Sequence, residues 1–283
     1  MLSRRDVMIG TLAAGLPASL SAASPFDAIE GTLAGGRLGV AAIDLATGRR
    51  LAHRADERFA FCSTFKLPLA AAILARVEAG ALSLDQPVAF TGADLVPHAP
   101  VVEPHLVQGR LPVRELCRAI MVFSDNAAAN LLLPLVGGPA GLTRFFRAQG
   151  DPLSQLDHVE PALNAFARGN PADTTTPAAM LGLCRRLLIG DALRPSSRVM
   201  LIDWMSRNET GAPRLRAGFP AGWRAGDRTG TADGKTNDVA IAWPSPRRRP
   251  LLVACYVDAP DASAEAGVAA QAAVGRIAAS LAR

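Results

Sequence analysis

Hydrophobic and polar positions along this chain change period three times. Residues 37–44, RLGVAAID, and 50–55, RLAHRA, flank Ala46-Thr47-Gly48-Arg49, and the pair predicts a hairpin with turn chemistry at its tip. From about residue 64 to 207 the spacing turns helical. Segments 65–79, 113–121, 126–136, 142–149 and 176–189 follow this pattern, the first stopping at Gly80. Strand patterns return at 223–230 (WRAGDRTG), 238–244 (DVAIAWP) and 250–257 (PLLVACYV). The stretch from Pro244 to Pro250 reads as the turn between the last two. Residues 262–282 are Ala-rich with apolar spacing near 3.6 and predict a closing helix.

Strands, then helices, then strands, then a helix make an α+β chain. The early hairpin and the late strands share one sheet in this reading. Residues 24–60 and 208–283 then form an α/β lobe, and residues 61–207 an inserted helical lobe. The cleft between two such lobes is the natural ligand site.

Composition removes several classes. With 49% hydrophobic and 19% charged residues, the chain has enough apolar surface to fold. The formal charge of +5 is scattered; the one basic run, Arg247-Arg248-Arg249, sits between prolines and reads as a solvated hairpin tip, not a nucleic-acid patch. Cys62, Cys117, Cys184 and Cys255 form no CxxC pattern, and His53, His98, His105 and His158 form no HExxH cluster, so neither a metal nor another cofactor is expected. Ser3-Arg4-Arg5-Asp6 followed by an apolar stretch to Leu20 and Ser21-Ala22-Ala23 predicts a twin-arginine export signal over residues 1–23. The mature protein is expected in the periplasm or secreted, as a monomer without stable membrane association or a nucleic-acid partner.

Chemistry is suggested first by FCSTFK, residues 61–66. The chain has only two lysines among its 30 basic residues, and one stands three positions after Ser63. On a helical turn Ser63 and Lys66 share a face. A serine nucleophile needs a base, and lysine, unlike arginine, can lose its proton. The same pair also fits a capping serine with a surface lysine. Ser124-Asp125-Asn126 stands at a junction of helical segments, where such residues also serve as caps. Glu160 and Asn164 lie in a long stretch, 150–175, rich in Gly, Pro, Asn and Asp, and are placed either to hold one water or to face solvent. Arg228-Thr229-Gly230-Thr231 falls on a predicted strand, where Gly230 permits close backbone approach and Arg228 attracts a carboxylate.

Taken together, in this order and at these separations, the four segments resemble the class A serine β-lactamases, whose motif set is SxxK, SDN and a basic-Thr-Gly triplet. The resemblance spans residues 24–283 and implies an antiparallel sheet flanked by N- and C-terminal helices. It implies hydrolysis of β-lactam rings through a Ser63 acyl-enzyme, with Lys66 or Glu160 as the acylation base and Glu160 with Asn164 positioning the deacylating water; the alternative reading of the same SxxK chemistry is a penicillin-binding DD-peptidase relative or a β-lactam sensor domain that stays acylated. By the same resemblance Ser124 relays a proton and Asn126 binds the substrate amide. The backbone N–H groups of Ser63 and Thr231 form the oxyanion hole. Arg228, Thr229, Gly230 and Thr231 hold the substrate carboxylate, with Arg216 as an additional cation, and His98 stands at the cleft mouth.

Three positions depart from the common family pattern. Arg228 replaces a lysine, and His98 replaces a larger aromatic. His158 stands where an arginine often pins the loop to a carboxylate, here Asp173. Cys62 and Cys117 match half-cystines of some members, but the partner positions hold Ala232 and Ala70, so no disulfide is expected from them.

Overall fold

The computed structural model describes residues 24–283; the twin-arginine segment lies outside them. The chain enters through α1 (Asp27–Glu30) and the hairpin of β1 (Arg37–Asp44) and β2 (Arg50–His53). After β3 (Phe59–Ala60) come α2 (Lys66–Glu78), the small strands β4 (Pro87–Ala89) and β5 (Arg110–Pro112), α3 (Val113–Arg118), α4 (Asn126–Leu132) and α5 (Gly138–Ala148). Then follow β6 (Thr174–Thr175), α6 (Pro177–Leu188), α7 (Pro195–Ser206) and α8 (Leu215–Gly218). The chain closes with β7 (Arg224–Ala232), β8 (Lys235–Trp243), β9 (Leu251–Asp258) and α9 (Ala264–Ala279).

Five strands form one antiparallel sheet in the order β2-β1-β9-β8-β7. Its central strands are apolar at consecutive positions because both faces are covered. On one face Leu38, Val40, Ala42, Val253, Cys255 and Val257 pack against Ala270, Val274 and Ala278 of α9. On the other, Ala41, Ile43, Leu252, Ala254 and Tyr256 join the larger core built from α2 and the following helices.

The sheet, the closing helix and the helical run match the sequence pattern, with local differences. The N-terminal helix is a single turn, Asp27–Glu30. Strand β8 starts at Lys235, three residues before the expected 238, because Asp233-Gly234 makes a two-residue hairpin with Gly234 at φ +62°. Helix α7 was not singled out; its apolar residues are spread around the axis and only Leu201, Trp204 and Met205 are buried apolar positions. Helix α5 starts four residues early, at Gly138-Pro139, where proline suits the first helical turn. All four cysteines are unpaired and buried, and burial raises the Cys62 and Cys184 thiols to about 12.

The short N-terminal turn is held electrostatically. Glu30 accepts from Arg54 Nε and Nη2 at 2.7 Å each and from the Leu38 N–H at 2.9 Å. The Arg54 hydrogen bonds lower its pKa from 4.5 to about 2. That stabilisation is complete above the ordinary value and disappears as pH falls through about 2. Glu30→Gln is expected to lower Tm by ~2–4 °C at neutral pH, as for a surface network worth ~1 kcal/mol. In acid melts the gap should close between pH 4.5 and about 2; a constant gap would rule out the clamp.

Candidate active site

The site forms where a turn of the chain, a helix start, a loop and an edge strand converge. Residues Cys62–Phe65 make a 3-10 turn that leads directly into α2, so Ser63 and Lys66 lie one turn apart. Lys66 is fully buried, and its Nζ lies 2.8 Å from Ser63 Oγ. Five oxygens surround that nitrogen. Besides Ser63 Oγ they are Ser124 O at 2.9 Å, Ser124 Oγ at 3.4 Å, Asn126 Oδ1 and Glu160 Oε1 at 3.2 Å. Desolvation is the largest influence on Lys66 and lowers its pKa from 10.5 to about 8. Glu160 opposes that shift, and the Arg228 charge reinforces it.

Ser124 follows a π-turn over Ala119–Phe123 and adopts a left-handed conformation, φ +63°. Asp125 takes the capping role: its Oδ1 accepts from the Ala128 N–H at 2.8 Å and starts α4. Its Oδ2 accepts from the N–H groups of Val101 and Val102, which ties the 97–102 loop to the same junction. Asn126 therefore faces Lys66 with its carbonyl and donates its amide to Pro97 O at 2.8 Å. His98 lines the cleft, with Nε2–H donating to Phe123 O at 2.9 Å.

Glu160 is buried and shares Oε1 between Lys66 and the Ser63 hydroxyl, 3.4 Å away. Its Oε2 accepts from Asn164 Nδ2 at 2.8 Å. Asn130 fixes this stretch through both of its amide atoms, accepting from the Glu160 N–H and donating to the Glu160 carbonyl at 2.9 Å each. Asn130 was missed in the sequence. As a mid-helix asparagine facing inward, its signal was a polar residue inside an alanine-rich helix.

Edge strand β7 forms the far wall. A methyl group on Gly230 would stand 3.0 Å from both Ser63 N and Cys62 Cβ, so glycine lets this strand pass close to Ser63. Arg228 is fully buried, donates from Nη2 to Ser124 Oγ, and leaves Nε and Nη1 without a partner. Burial lowers its pKa to about 10, so it stays charged at neutral pH. Thr229 bonds the Thr210 hydroxyl, and Thr231 Oγ1 accepts from Arg214 Nη2 at 2.7 Å.

Arg216 does not reach the cleft. Its Nε donates to the fully buried Asp227 carboxylate at 3.1 Å and its Nη2 to Asn208 O. Arg214, two residues earlier, lines the cleft instead. The sequence offered two arginines in RLR without saying which one the buried aspartate would take. Gly211 leaves space for that aspartate, since a methyl there would overlap Asp227 Oδ2.

The resulting cleft, about 300 Å³, is lined by Ser63, His98, Ser124, Asn126, Arg214 and Thr231 among others. Among the described residues no group of three or more His, Cys, Asp or Glu side chains gathers as a metal site.

The profile of the β-lactamase enzyme family matches residues 23–282. The chain belongs to the class A β-lactamases. It is 46% identical to β-lactamase L2 of Stenotrophomonas maltophilia over 272 residues, covering 95% of this chain and 89% of that one. It is 44% identical to the carbapenem-hydrolyzing β-lactamase KPC of Klebsiella oxytoca, covering 88% and 86%. A β-lactamase structure from Burkholderia vietnamiensis superposes with a TM-score of 0.88 at 45% identity, covering 93% of this chain and 98% of that one. The class A β-lactamase of the last common ancestor of Gram-negative bacteria gives 0.86 at 50% identity, covering 90% and 100%.

The loop that carries Glu160 closes on His158 and Asp173. His158 Nδ1 lies 2.6 Å from Asp173 Oδ2, and the N–H groups of Asp157 and His158 donate to Asp173 Oδ1. The hydrogen bond to Asp173 raises the His158 pKa above its ordinary 6.5. The charged link is therefore complete below that value and lost as pH rises through the raised one. Hydrogen exchange of loop amides, corrected for intrinsic rates, should accelerate as pH rises above 6.5. His158→Arg should abolish that acceleration; identical profiles for the two proteins would show that the link does not hold the loop.

Proposed function

We propose that the protein hydrolyses β-lactam antibiotics through an acyl-enzyme on Ser63. The observation that carries this reading is that Lys66 and Glu160 both converge on one hydroxyl, at 2.8 Å and 3.4 Å from Ser63 Oγ. With a pKa of about 8, roughly a tenth of Lys66 is neutral at pH 7, about three-hundredfold more than for an ordinary lysine. A neutral amine accepts the Ser63 proton as Oγ attacks the lactam carbonyl. The C–N bond of the ring then breaks, and the leaving nitrogen takes a proton from Ser124, which Lys66 replenishes. Arg228 cannot act in this relay at neutral pH; its fixed charge holds Ser124 and keeps Lys66 from storing its proton. The developing oxyanion is stabilised by the backbone N–H groups of Ser63 and Thr231.

Glu160 then takes a proton from a water held between its carboxylate and Asn164, hydroxide attacks the ester carbon, and the C–O bond to Ser63 breaks as Ser63 Oγ takes that proton back from Glu160, 3.4 Å away. Asn164 Oδ1 is buried and unpartnered, an acceptor suited to that water's second proton. Asn126 exchanges its bond to Pro97 O for the substrate's amide carbonyl. Arg214 with Thr231, backed by Thr229 and Arg228, receives the substrate carboxylate, and His98 bounds the cleft mouth. Cleavage consumes one water and needs no cofactor. The expected twin-arginine segment supports action in the periplasm or outside the cell, and the protein acts there as a monomer.

Substitutions within the cleft and behind it test the reading. Glu160→Ala should slow deacylation by ~10³-fold, within the range for a general base, and accumulate a penicilloyl adduct on Ser63 visible by intact mass. The unaltered protein should turn over a chromogenic cephalosporin. No adduct on Ser63 in the variant would overturn the mechanism, and one equivalent of adduct without turnover in the unaltered protein would overturn hydrolysis. Arg214→Ala should lower kcat/KM for carboxylate-bearing substrates by ~10–100-fold, the worth of a charge-assisted hydrogen bond. Arg216→Ala should instead cost ~3–5 kcal/mol of stability by leaving Asp227 buried without its cation, read in a urea melt. If Arg216→Ala left the melt unchanged and lowered kcat/KM as Arg214→Ala does, the assignment would be reversed.

A further inference from the structure

The end of the sheet remote from the cleft carries most of the molecule's excess positive charge. Arg49 ends the β1–β2 turn, Arg50 opens β2, Arg224 opens β7, the 247–249 run joins β8 to β9, and Arg283 follows α9. Sheet register brings these segments together: Ile43 pairs with Arg50 and Leu252, Asp44 with Leu251, and Arg224 with Trp243. Arg49 also donates to main-chain oxygens of Leu281 and Arg283, placing residues 281–283 at the same end. Seven arginines thus face one aspartate, Asp44, and the chain's own terminal carboxylate. Asp44 is fully buried and already bound by Arg248 at 2.9 Å. The formal charge of the whole chain is +5, so the rest of the protein is close to neutral. Six of these arginines are exposed, and Arg248 is half-buried. Acidic residues Asp233, Asp258 and Asp261 lie at the opposite end of the strands.

Aromatic rings stand among these cations. Arg224 stacks on half-buried Trp243 at 4.1 Å, and Trp223 packs on Phe219. Gly222, Arg224, Trp243, Ser245 and Pro246 line a shallow cleft of about 210 Å³. Indole rings beside arginines suit the headgroup level of a bilayer. The loops at this end, residues 45–50, 219–225 and 243–250, contain no Asn or Gln to read base edges, and no helix presents the arginines to a groove. Arg224 and Gly230 are six strand residues apart, ~20 Å, so a surface docked on this end leaves Ser63 open.

We propose that this arginine pole docks the protein reversibly on anionic phospholipid surfaces. It replaces the reading of the 247–249 run as a merely solvated tip, and it adds a reversible contact to a protein expected to lack stable membrane association. The attraction is electrostatic and falls with salt.

The full chain is mixed with vesicles of phosphatidylcholine alone or with about 30 mol% phosphatidylglycerol, and binding is read by sedimentation. Binding to phosphatidylcholine alone gives the background from the apolar N-terminal stretch. Phosphatidylglycerol should add binding that disappears at about 0.5 M salt. Arg247→Glu with Arg249→Glu should weaken that added binding at least ~10-fold, while hydrolysis of a chromogenic cephalosporin without vesicles stays unchanged. Equal binding to both vesicle types, or undiminished binding by the double variant, would overturn the proposal. So would salt-sensitive binding to duplex DNA with none to the anionic vesicles.

Discussion

An amine buried out of contact with bulk solvent is the constraint on which the rest of this structure depends. In solution a lysine holds its proton and cannot serve as a base at neutral pH. Enclosing Lys66 between α2, Ser124 and Glu160 removes its hydration and brings its pKa to about 8. The surrounding oxygens work the other way, because each favours the ammonium. Desolvation wins, helped by the Arg228 charge, and leaves an amine able to exist in either state. Such a balance needs fixed distances. Asp125 fixes them on one side through three backbone N–H groups, and Asn130 on the other through both ends of its amide.

The sheet supplies the remaining rigidity. Strand β7 is an edge strand, held by continuous pairing with β8 from Arg224 to Ala232 and buried from Gly226 to Gly230. Gly230 then lets that strand approach Ser63 more closely than any side chain would permit. Behind the strand, Asp227 takes Arg216 and Asn208, and Arg214 is left for the cleft. Burial pushes the Asp227 pKa up, and the Arg216 charge counters it. The cation that lines the cleft is thus selected by a buried charge pair outside the cleft.

Much of the architecture was legible because apolar periodicity follows directly from covered faces. Strands β1 and β9 and helices α2, α6 and α9 are cases where one pattern has one solution. The gathering of Ser63, Lys66, Ser124, Asn126, Glu160 and Asn164 was legible as motifs, since each needs a residue type that few alternatives supply. What remained hidden depends on geometry between distant segments. Arg214 and Arg216 differ only in which of two alternate directions finds Asp227. Asn130 looks like any helix asparagine until the loop bearing Glu160 lands on it. The start of β8 was misplaced although Asp-Gly is a hairpin signal, because the polar residues around it hid the strand on either side.

The protonation of Lys66 is the quantity that most directly tests this account. The chain holds only two lysines, so selective ¹⁵N labelling of lysine side chains yields two titrating signals, and Lys235→Arg assigns them. The account predicts that the Lys66 amine titrates near 8. A midpoint at the ordinary lysine value of 10.5 would contradict it, because the amine would then be almost wholly charged at neutral pH.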